Sequence, residues 1–322
     1  MNNAKVLCLG ELMLDMVANT DPEGNVRGFD MKPGGAAGNV AVAVKRLGGN
    51  AGILAKVSDD FFGNYMKQIM NENGVDTSGV IFDPNRKIAM AFVTFDADRK
   101  PSYLFYRENS ASASFSREEI KSKVFTGAKV LYFSSMGLVR DPLRAANYEA
   151  ARLAGEAGVR VAFDPNIRFG VWPSREAVHA EVLNMMNYVH ICKMNDEELE
   201  FLFGKGPMED KCREILAAYP QMELIAITLG GDGAFLMNRE GKAVKVPALE
   251  NDVIDTVGAG DSFFATLIMQ AIQADFTLDN EEKLRAALEY ANAAALLTAK
   301  RPGAIPAMPF LKEVEEKRAQ YK

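Results

Sequence analysis

One loop near the carboxyl end of the chain combines small residues with a single acidic side chain. It reads Asp255-Thr256-Val257-Gly258-Ala259-Gly260-Asp261, and the apolar run that follows contains no Pro or Gly before Asp275. This pattern predicts a tight loop leading into the N-terminus of a buried helix. Backbone N–H groups at a helix N-terminus are unpaired and carry partial positive charge, so they suit an anion. Gly258 and Gly260 would let a ligand approach the backbone closely.

Asp261 allows two interpretations. Its carboxylate could take a proton from a hydroxyl group while the helix N–H groups hold the charge that develops on a phosphoryl group. Alternatively, it only caps its own helix, as aspartate often does there. The chain has two histidines, His179 and His190, and their contexts predict structural positions on a helix surface and at a strand end. If the protein is an enzyme, its base is therefore expected to be a carboxylate.

A second glycine-rich stretch lies near the amino end, Pro33-Gly34-Gly35-Ala36-Ala37-Gly38-Asn39-Val40-Ala41. It predicts a turn that opens an Ala/Val helix, with Asn39 as the polar side chain of its first turn that is available to hold a hydroxyl group. The spacing matches neither a dinucleotide fingerprint nor a P-loop. Asp15 stands in an apolar strand context, where it either faces water at an edge or meets a partner or ligand.

Three further motifs follow predicted strands, at the edge where open parallel sheets bind ligands. The first is Asp164-Pro165-Asn166-Ile167-Arg168, whose arginine could meet an anion, a sugar hydroxyl or a surface carboxylate. The second is Asn195-Asp196-Glu197-Glu198, where Glu198 could contact Mg²⁺ through water or simply cap a helix. In the third, Thr228-Leu229-Gly230-Gly231-Asp232-Gly233, the glycines would allow close approach of a flat or charged ligand.

The elements that position these motifs alternate along the chain. From residue 118 onward, strands and helices follow each other in the rhythm of βαβ units, which predicts an α/β fold with a parallel sheet. Two hairpins, at about 12–33 and 87–107 with a polar turn at 96–100, are expected to form a small sheet over the glycine-rich turn. We interpret them as insertions into one domain that spans 1–322. The predicted strands are 5–9, 51–57, 129–133, 159–163, 188–191 and 224–229, and the later helices are 142–157, 174–185, 196–203, 208–218, 259–274 and 281–299.

The composition of the chain argues against several classes of protein. The chain has 322 residues, 48% of them hydrophobic, which is enough for a full core. The net charge is −6 and no Lys/Arg-rich run occurs, so neither nucleic acid nor an anionic membrane is an expected partner. No segment has the pattern of a signal peptide or membrane span. Three cysteines without CxxC spacing favour a reduced, cytoplasmic protein without a structural metal.

The order of these motifs resembles the ribokinase-like family of sugar kinases, the PfkB carbohydrate kinases, over nearly the whole chain. The resemblance rests on Gly34-Gly35-Ala36-Ala37-Gly38-Asn39-Val40-Ala41 and on Asp255-Thr256-Val257-Gly258-Ala259-Gly260-Asp261-Ser262. It implies a three-layer α/β/α sandwich with a mostly parallel central sheet and a small β-sheet lid. It also implies an ATP-dependent sugar kinase. In relatives the lid can pair between subunits, which would make a homodimer.

The resemblance implies a role for each candidate residue. Asp261 would be the base, and Gly258, Ala259 and Gly260 would form the anion hole. The implied sugar-binding residues are Asp15, Gly34, Gly35, Asn39, Arg107 and Arg168. The implied nucleotide-binding residues are Asn195, Thr228, Gly230, Gly233 and Asn292. Glu198 would contact Mg²⁺ through water, and Asp255 with the loop around Gly303 would bind a monovalent cation such as K⁺.

Within the family, the chain is most similar to fructokinases. The similarity lies in Phe105-Tyr106-Arg107-Glu108-Asn109-Ser110-Ala111, in Asp164 to Arg168 with Val171-Trp172-Pro173-Ser174, and in Gly303-Ala304-Ile305-Pro306-Ala307. Fructokinases usually continue Ser-Ala-Asp, whereas Ser112 follows here. Kinases of 2-keto-3-deoxygluconate share part of this pattern, so that sugar acid is the alternative substrate. A non-catalytic sugar or nucleotide sensor on the same fold is the alternative from another class, although the intact Asp261 behind Gly-Ala-Gly favours a kinase.

Overall fold

The computed structural model describes residues 5–21, 23–95, 101–249 and 253–321. The strands in these parts of the chain are β1 Lys5–Leu9, β2 Met13–Thr20, β3 Val26–Gly34, β4 Asn50–Ser58, β5 Asp76–Asp83, β6 Ala89–Phe95, β7 Pro101–Tyr106, β8 Ala128–Ser134, β9 Arg160–Asp164, β10 Ile191–Asn195, β11 Leu224–Thr228, β12 Ala234–Asn238 and β13 Ala243–Val246. The α-helices are α1 Ala36–Arg46, α2 Phe61–Glu72, α3 Leu143–Glu156, α4 Arg175–Met186, α5 Asp196–Phe203, α6 Met208–Ala218, α7 Ala259–Gln273, α8 Glu281–Ala299 and α9 Leu311–Arg318.

The large sheet has the order β13-β12-β11-β10-β9-β8-β1-β4-β5. All neighbours from β11 to β5 are parallel, and β12 and β13 add an antiparallel edge. The predicted parallel sheet is therefore confirmed. Because parallel strands end at the same edge, the motifs that follow β1, β9, β10 and β11 lie along one side of the molecule.

Alternating side chains of the strands build two cores, one on each face of the sheet. In β1, Val6 and Cys8 belong to the core beneath α1, α7 and α8, whereas Leu7 and Leu9 belong to the core beneath α3, α4 and α6. Strands of a parallel sheet are buried on both faces, which explains their nearly continuous apolar sequences. The result is the predicted three-layer α/β/α sandwich.

The two predicted hairpins form one small sheet, with the order β3-β2-β6-β7. Each hairpin is antiparallel, and β2 joins β6 in parallel with Asp15 opposite Ala91. The predicted polar turn at 96–100 lies outside the described residues.

Several element boundaries differ from the prediction. The strand predicted at 188–191 lies instead at Ile191–Asn195, because the buried Lys193 extends it beyond the apolar run. His190 immediately precedes it, and its Nδ1 accepts a hydrogen bond from the Val161 amide. His179 contacts the Leu202 carbonyl oxygen through Nε2. The sequence analysis missed β5, β12, β13 and α9. No helix in the described parts of the chain has the length and apolarity required to cross a membrane.

Candidate active site

Helix α7 begins at the edge where the parallel strands end, and a glycine starts it. Gly258 is the N-cap residue, with a φ of 79° that disfavours other residue types. A Cβ atom at this position would lie 3.0 Å from Met308 Cε and 3.1 Å from Ala304 Cα. The Ala259 amide donates to the Thr256 carbonyl oxygen at 3.2 Å, whereas the amides of Gly258 and Gly260 have no hydrogen-bond partner among the described residues.

Asp261 lies in this first turn and is 7% exposed. Its Oδ2 accepts a hydrogen bond of 2.7 Å from Asn39 Nδ2, in the first turn of α1. Among the described residues, Asn39 is the hydrogen-bond partner of this carboxylate, and no backbone N–H of α7 is. The capping interpretation thus has no support in the geometry, and packing of α1 on α7 joins the two glycine-rich motifs.

The surroundings of Asp261 make its carboxylate a better base. Burial raises its pKa, the hydrogen bond from Asn39 lowers it and the negative charge of Asp164 raises it, while Lys193 and Arg168 lower it. The pKa rises from its ordinary value of 3.8 to about 6. A base of this strength is ionised at neutral pH and still accepts a proton readily.

A polar cavity of about 300 Å³ lies in front of Asp261. From the large sheet it is lined by Asp164, Lys193 and Asn195, and from the small sheet by Met13, Asp15, Tyr103 and Phe105. The other lining residues with predicted roles are Gly35, Asn39, Arg168, Gly258 and Gly260. Burial raises the pKa of Asp15 to about 6, against the lowering effect of Arg168. The small sheet thus closes one side of the cavity with a carboxylate, and contact of Asp15 with a ligand stays a prediction.

Two charged residues in this cavity had no predicted role. Lys193 Nζ donates to Asp164 Oδ2 at 2.9 Å, and the side chains are 8% and 1% exposed. Nζ also lies 3.1 Å from the position that a Cβ atom on Gly260 would occupy. Burial lowers the pKa of Lys193, but Asp164 and Glu198 outweigh it and raise the pKa, so the amine stays charged. The signal in the sequence was a lysine between Cys192 and Met194, two residues before Asn195 and just beyond the predicted strand.

A second cavity of about 300 Å³ adjoins the first. Four predicted nucleotide-binding residues line it, namely Thr228, Gly230, Gly233 and Asn292. Apolar walls come from Leu249, Val253, Phe263 and Leu296. Thr256 and Gly260 line both cavities. A flat, largely apolar ring could therefore lie in the second cavity with its polar end directed at the N-terminus of α7.

Asn195 and Glu198 form a capping box at the start of α5. Asn195 Oδ1 accepts from the Glu198 amide at 2.7 Å, and Glu198 Oε2 accepts from the Asn195 amide at 2.9 Å. Glu198 Oε1 accepts a third bond, from the Ile167 amide at 2.7 Å. Burial and then the charge of Asp164 raise the pKa of Glu198. Both carboxylate oxygens are thus engaged in hydrogen bonds, and Glu198 caps the helix, as one of its two interpretations expected. The contact with Mg²⁺ through water stays a prediction.

Asp255 and Gly303, the predicted cation-binding residues, lie in contact. The Gly303 amide donates to Asp255 Oδ2 at 2.8 Å, and the Val257 amide donates to Asp255 Oδ1 at 3.0 Å. The loop that precedes α7 is therefore tied to the loop that follows α8.

Two predicted sugar-binding residues do not line the polar cavity. Arg107 is buried and paired with Glu11 at 2.8 Å, since it follows β7 and turns toward the body of the protein instead of the cavity. Gly34 lies behind Asp15, and a Cβ atom there would approach Asp15 Oδ2 to 2.4 Å. The unusual Ser112 donates to Glu11 Oε1 at 2.8 Å. Ser112 thus binds the same carboxylate as Arg107.

The chain is similar to known proteins over nearly its whole length. Residues 3–311 match the family described as pfkB family carbohydrate kinase. Fructokinase-1 of Oryza sativa subsp. japonica is 37% identical over 311 residues, covering 96% of both chains. Probable fructokinase-3 of Arabidopsis thaliana is 35% identical over 326 residues, covering 98% of this chain and 94% of the relative.

Solved structures give the same result for the fold. The ATP-bound fructokinase of Xylella fastidiosa has a TM-score of 0.88 and 28% identity, with 99% of both chains covered. Fructokinase from Vibrio cholerae O395, bound to fructose, ADP and calcium, has a TM-score of 0.86 and 28% identity, with 98% and 99% covered. The predicted ribokinase-like fold is confirmed.

Proposed function

The chain belongs to the pfkB family of carbohydrate kinases, and from this premise we propose that it transfers the γ-phosphoryl group of ATP to a hydroxyl group of fructose. One observation carries the proposal. Asp261 and the N-terminus of α7 lie where the polar cavity meets the second, more apolar cavity, at the shared residues Thr256 and Gly260. A sugar and a nucleotide bound in the two cavities would face each other across a base and an anion-binding helix end.

The catalytic step follows from the first turn of α7. Asp261 would accept the proton of the sugar hydroxyl as that oxygen attacks the γ-phosphorus of ATP; the bond from this phosphorus to the oxygen of the β-phosphate breaks, and ADP leaves. Gly258, Ala259 and Gly260 would form the anion hole. The amides of Gly258 and Gly260 have no hydrogen-bond partner among the described residues, and the Ala259 amide would have to exchange the Thr256 carbonyl oxygen for the anion. The hydrogen bond from Asn39 holds the carboxylate in one orientation.

The charges around the polar cavity support a neutral sugar. Three carboxylates line it, those of Asp15, Asp164 and Asp261, against the two cationic groups of Lys193 and Arg168. Fully ionised, these five groups sum to −1, which repels a sugar acid. Arg107, which together with Arg168 could have formed a carboxylate site, is engaged by Glu11.

Within this cavity Asp15, Gly35 and Asn39 would bind hydroxyl groups of the sugar, with Arg168 at the exposed rim. The names of the curated relatives support fructose as the sugar. For the nucleotide, we assign Thr228, Gly230, Gly233 and Asn292 to the base and ribose, and Asn195 to the phosphate side, because Asn195 lines the cavity that contains Asp261.

Two cations fit residues of the site. The described residues hold no cluster of acidic, histidine or cysteine side chains that could bind a metal alone, so Mg²⁺ would arrive with the phosphates of ATP and neutralise their charge. Glu198, whose oxygens are buried and already hydrogen-bonded, would contact it through water. K⁺ would bind beside the paired loops of Asp255 and Gly303 and steady the start of α7.

The small sheet would act as the lid and as a dimer interface. Its inner face lines the cavity, and its outer face carries edge-to-face contacts of Phe92 with Phe29 and Tyr106. Leu104 and Tyr106 are 58% and 60% exposed there. A second copy of the chain would cover this apolar surface. We also propose a cytoplasmic location, since all three cysteines are buried and unpaired.

The test is phosphorylation of a panel of sugars and sugar acids, measured directly as sugar phosphate under identical Mg-ATP and K⁺. Fructose should give the highest kcat/KM. A higher value for 2-keto-3-deoxygluconate would replace the sugar in the proposal and leave the kinase activity intact.

A further inference from the structure

A buried ion pair lies where the small sheet joins the body of the protein. Glu11 lies between β1 and β2, and Arg107 directly follows β7, so each stands where the chain enters or leaves the small sheet. Arg107 Nη2 and Nε donate to Glu11 Oε2 at 2.8 and 3.1 Å. The two side chains are 6% and 4% exposed. A guanidinium–carboxylate contact through two nitrogens fixes orientation as well as distance.

Neighbouring segments complete the network. Arg107 Nη2 also donates to the Met136 carbonyl oxygen at 3.0 Å, and Ser112 Oγ donates to the second carboxylate oxygen of Glu11 at 2.8 Å. A Cβ atom at Gly35 would lie 2.3 Å from the Glu11 carbonyl oxygen, so the segment between β3 and α1 packs directly on Glu11. Three of the chain crossings between the small sheet and the body therefore meet at one residue.

The same segments carry the side chains that close the polar cavity. Asp15 follows Glu11 along β2, while Tyr103 and Phe105 precede Arg107 along β7. Met136, whose carbonyl oxygen accepts from Arg107, also lines the cavity. A displacement at the ion pair would shift all of these groups relative to Asp261.

We propose that Glu11, Arg107 and Ser112 form a clamp that holds the small sheet in its working position over the polar cavity. Arg107 is then a positioning residue, which acts through Asp15, Tyr103 and Phe105 and does not contact the sugar. This inference rests on the sugar kinase activity proposed above. It adds the residues that set the geometry of the polar cavity, where the sugar would bind.

The test compares Glu11→Gln, Arg107→Met and the double variant. Each single variant leaves one buried charge without its partner, whereas the double variant leaves none. For each single variant we expect kcat/KM for fructose to fall by about 10–10²-fold, as for a misplacement of groups near the reacting atoms. The KM for fructose should rise and the KM for ATP should stay close to that of the wild type. The double variant should be no worse than the poorer single variant, because both substitutions break the same contact.

Two further variants serve as a control and as a milder change to the same contact. Arg140→Met removes a neighbouring pair, with Glu108 at 3.2 Å, in which both side chains are exposed. It should leave fructose kinetics unchanged. Ser112→Ala removes one hydrogen bond to Glu11 without unpairing a charge, so it should change the KM for fructose in the same direction by a smaller factor.

Amide hydrogen exchange provides a readout that needs no substrate. In the single variants, exchange in β2 and β7 should accelerate while exchange in β8 and β10 of the large sheet remains slow. The proposal is overturned if Glu11→Gln retains wild-type kinetics and exchange while Arg107→Met alone loses affinity for fructose, since Arg107 would then contact the sugar directly. If the wild-type protein does not phosphorylate fructose, the proposed function fails, and the exchange rates still decide whether the clamp exists.

Discussion

Replacing Asp261 by asparagine should abolish most activity and at the same time stabilise the fold. Asparagine keeps the shape of the side chain and an oxygen that can accept the hydrogen bond from Asn39. It cannot take a proton from the sugar. Because a general base contributes typically ~10²–10⁴-fold, kcat should fall by about this factor.

The expected gain in stability follows from the pKa of Asp261. Burial is the main reason that this pKa rises from 3.8 to about 6. One pKa unit corresponds to ~1.4 kcal/mol, so the ionised carboxylate lowers the free energy of unfolding by roughly 3 kcal/mol. For an acid with a raised pKa, this loss of stability is absent at a pH below the pKa in the unfolded chain and complete at a pH above the pKa in the folded protein. Asp261→Asn should therefore be more stable than the wild type at pH 8 and nearly equal to it at pH 4.

The assay pairs direct detection of fructose phosphate with urea unfolding at pH 4, 6 and 8. Asp210→Asn is the matched control, because Asp210 lies in the first turn of α6, is exposed and is remote from both cavities. It should change neither activity nor the pH dependence of stability. If Asp261→Asn kept more than about a third of the wild-type kcat, the assignment of the base would be wrong. A variant less stable than the wild type at pH 8 would instead support a capping role.

Three other predictions follow from the site. First, kcat/KM should decline as pH falls through about 6, since Asp261 must be ionised to accept a proton. Asn39→Ala should move the midpoint of this decline to higher pH, because it removes the hydrogen bond that lowers the pKa of Asp261. Identical pH profiles for the wild type and Asn39→Ala would contradict this. Second, sugar phosphate should form faster in K⁺ than in Na⁺, owing to the loops joined by Asp255 and Gly303; equal rates in K⁺ and a large organic cation would remove the cation from the proposal. Third, kcat/KM should be higher for fructose than for 2-keto-3-deoxygluconate; the reverse order, with selective loss of the acid's rate in Arg168→Ala, would show that the net negative charge of the cavity does not decide the substrate.

Much of the architecture could be predicted from local sequence. The rhythm of apolar strands and amphipathic helices predicted the parallel sheet, because strands buried on both faces require continuous apolar runs. Prediction failed where local pattern and environment disagree. The strand β5 contains Thr77, Ser78 and Gly79 at the edge of the sheet, and β10 continues through Lys193. Lysine favours a buried strand position only when a partner such as Asp164 is present, and that partner lies on another strand.

The candidate site also has features that local sequence predicts and features that it does not predict. The start of α7, the glycines that shape it and the absence of a suitable histidine could all be read from the sequence, because backbone conformation and residue chemistry are local properties. Which groups face each other could not be predicted in this way. Asn39 and Asp261 are 222 residues apart, and their contact depends on the packing of α1 against α7. Arg107 had the chemistry of a sugar ligand, yet the fold places Glu11 within its reach. The pKa of Asp261 likewise depends on burial and on charges from distant strands. Residue types and local conformation are therefore determined by the sequence alone. The hydrogen-bond and ion-pair partners of a side chain, its burial and its pKa arise only when distant segments come together, since each depends on distances that no local pattern encodes.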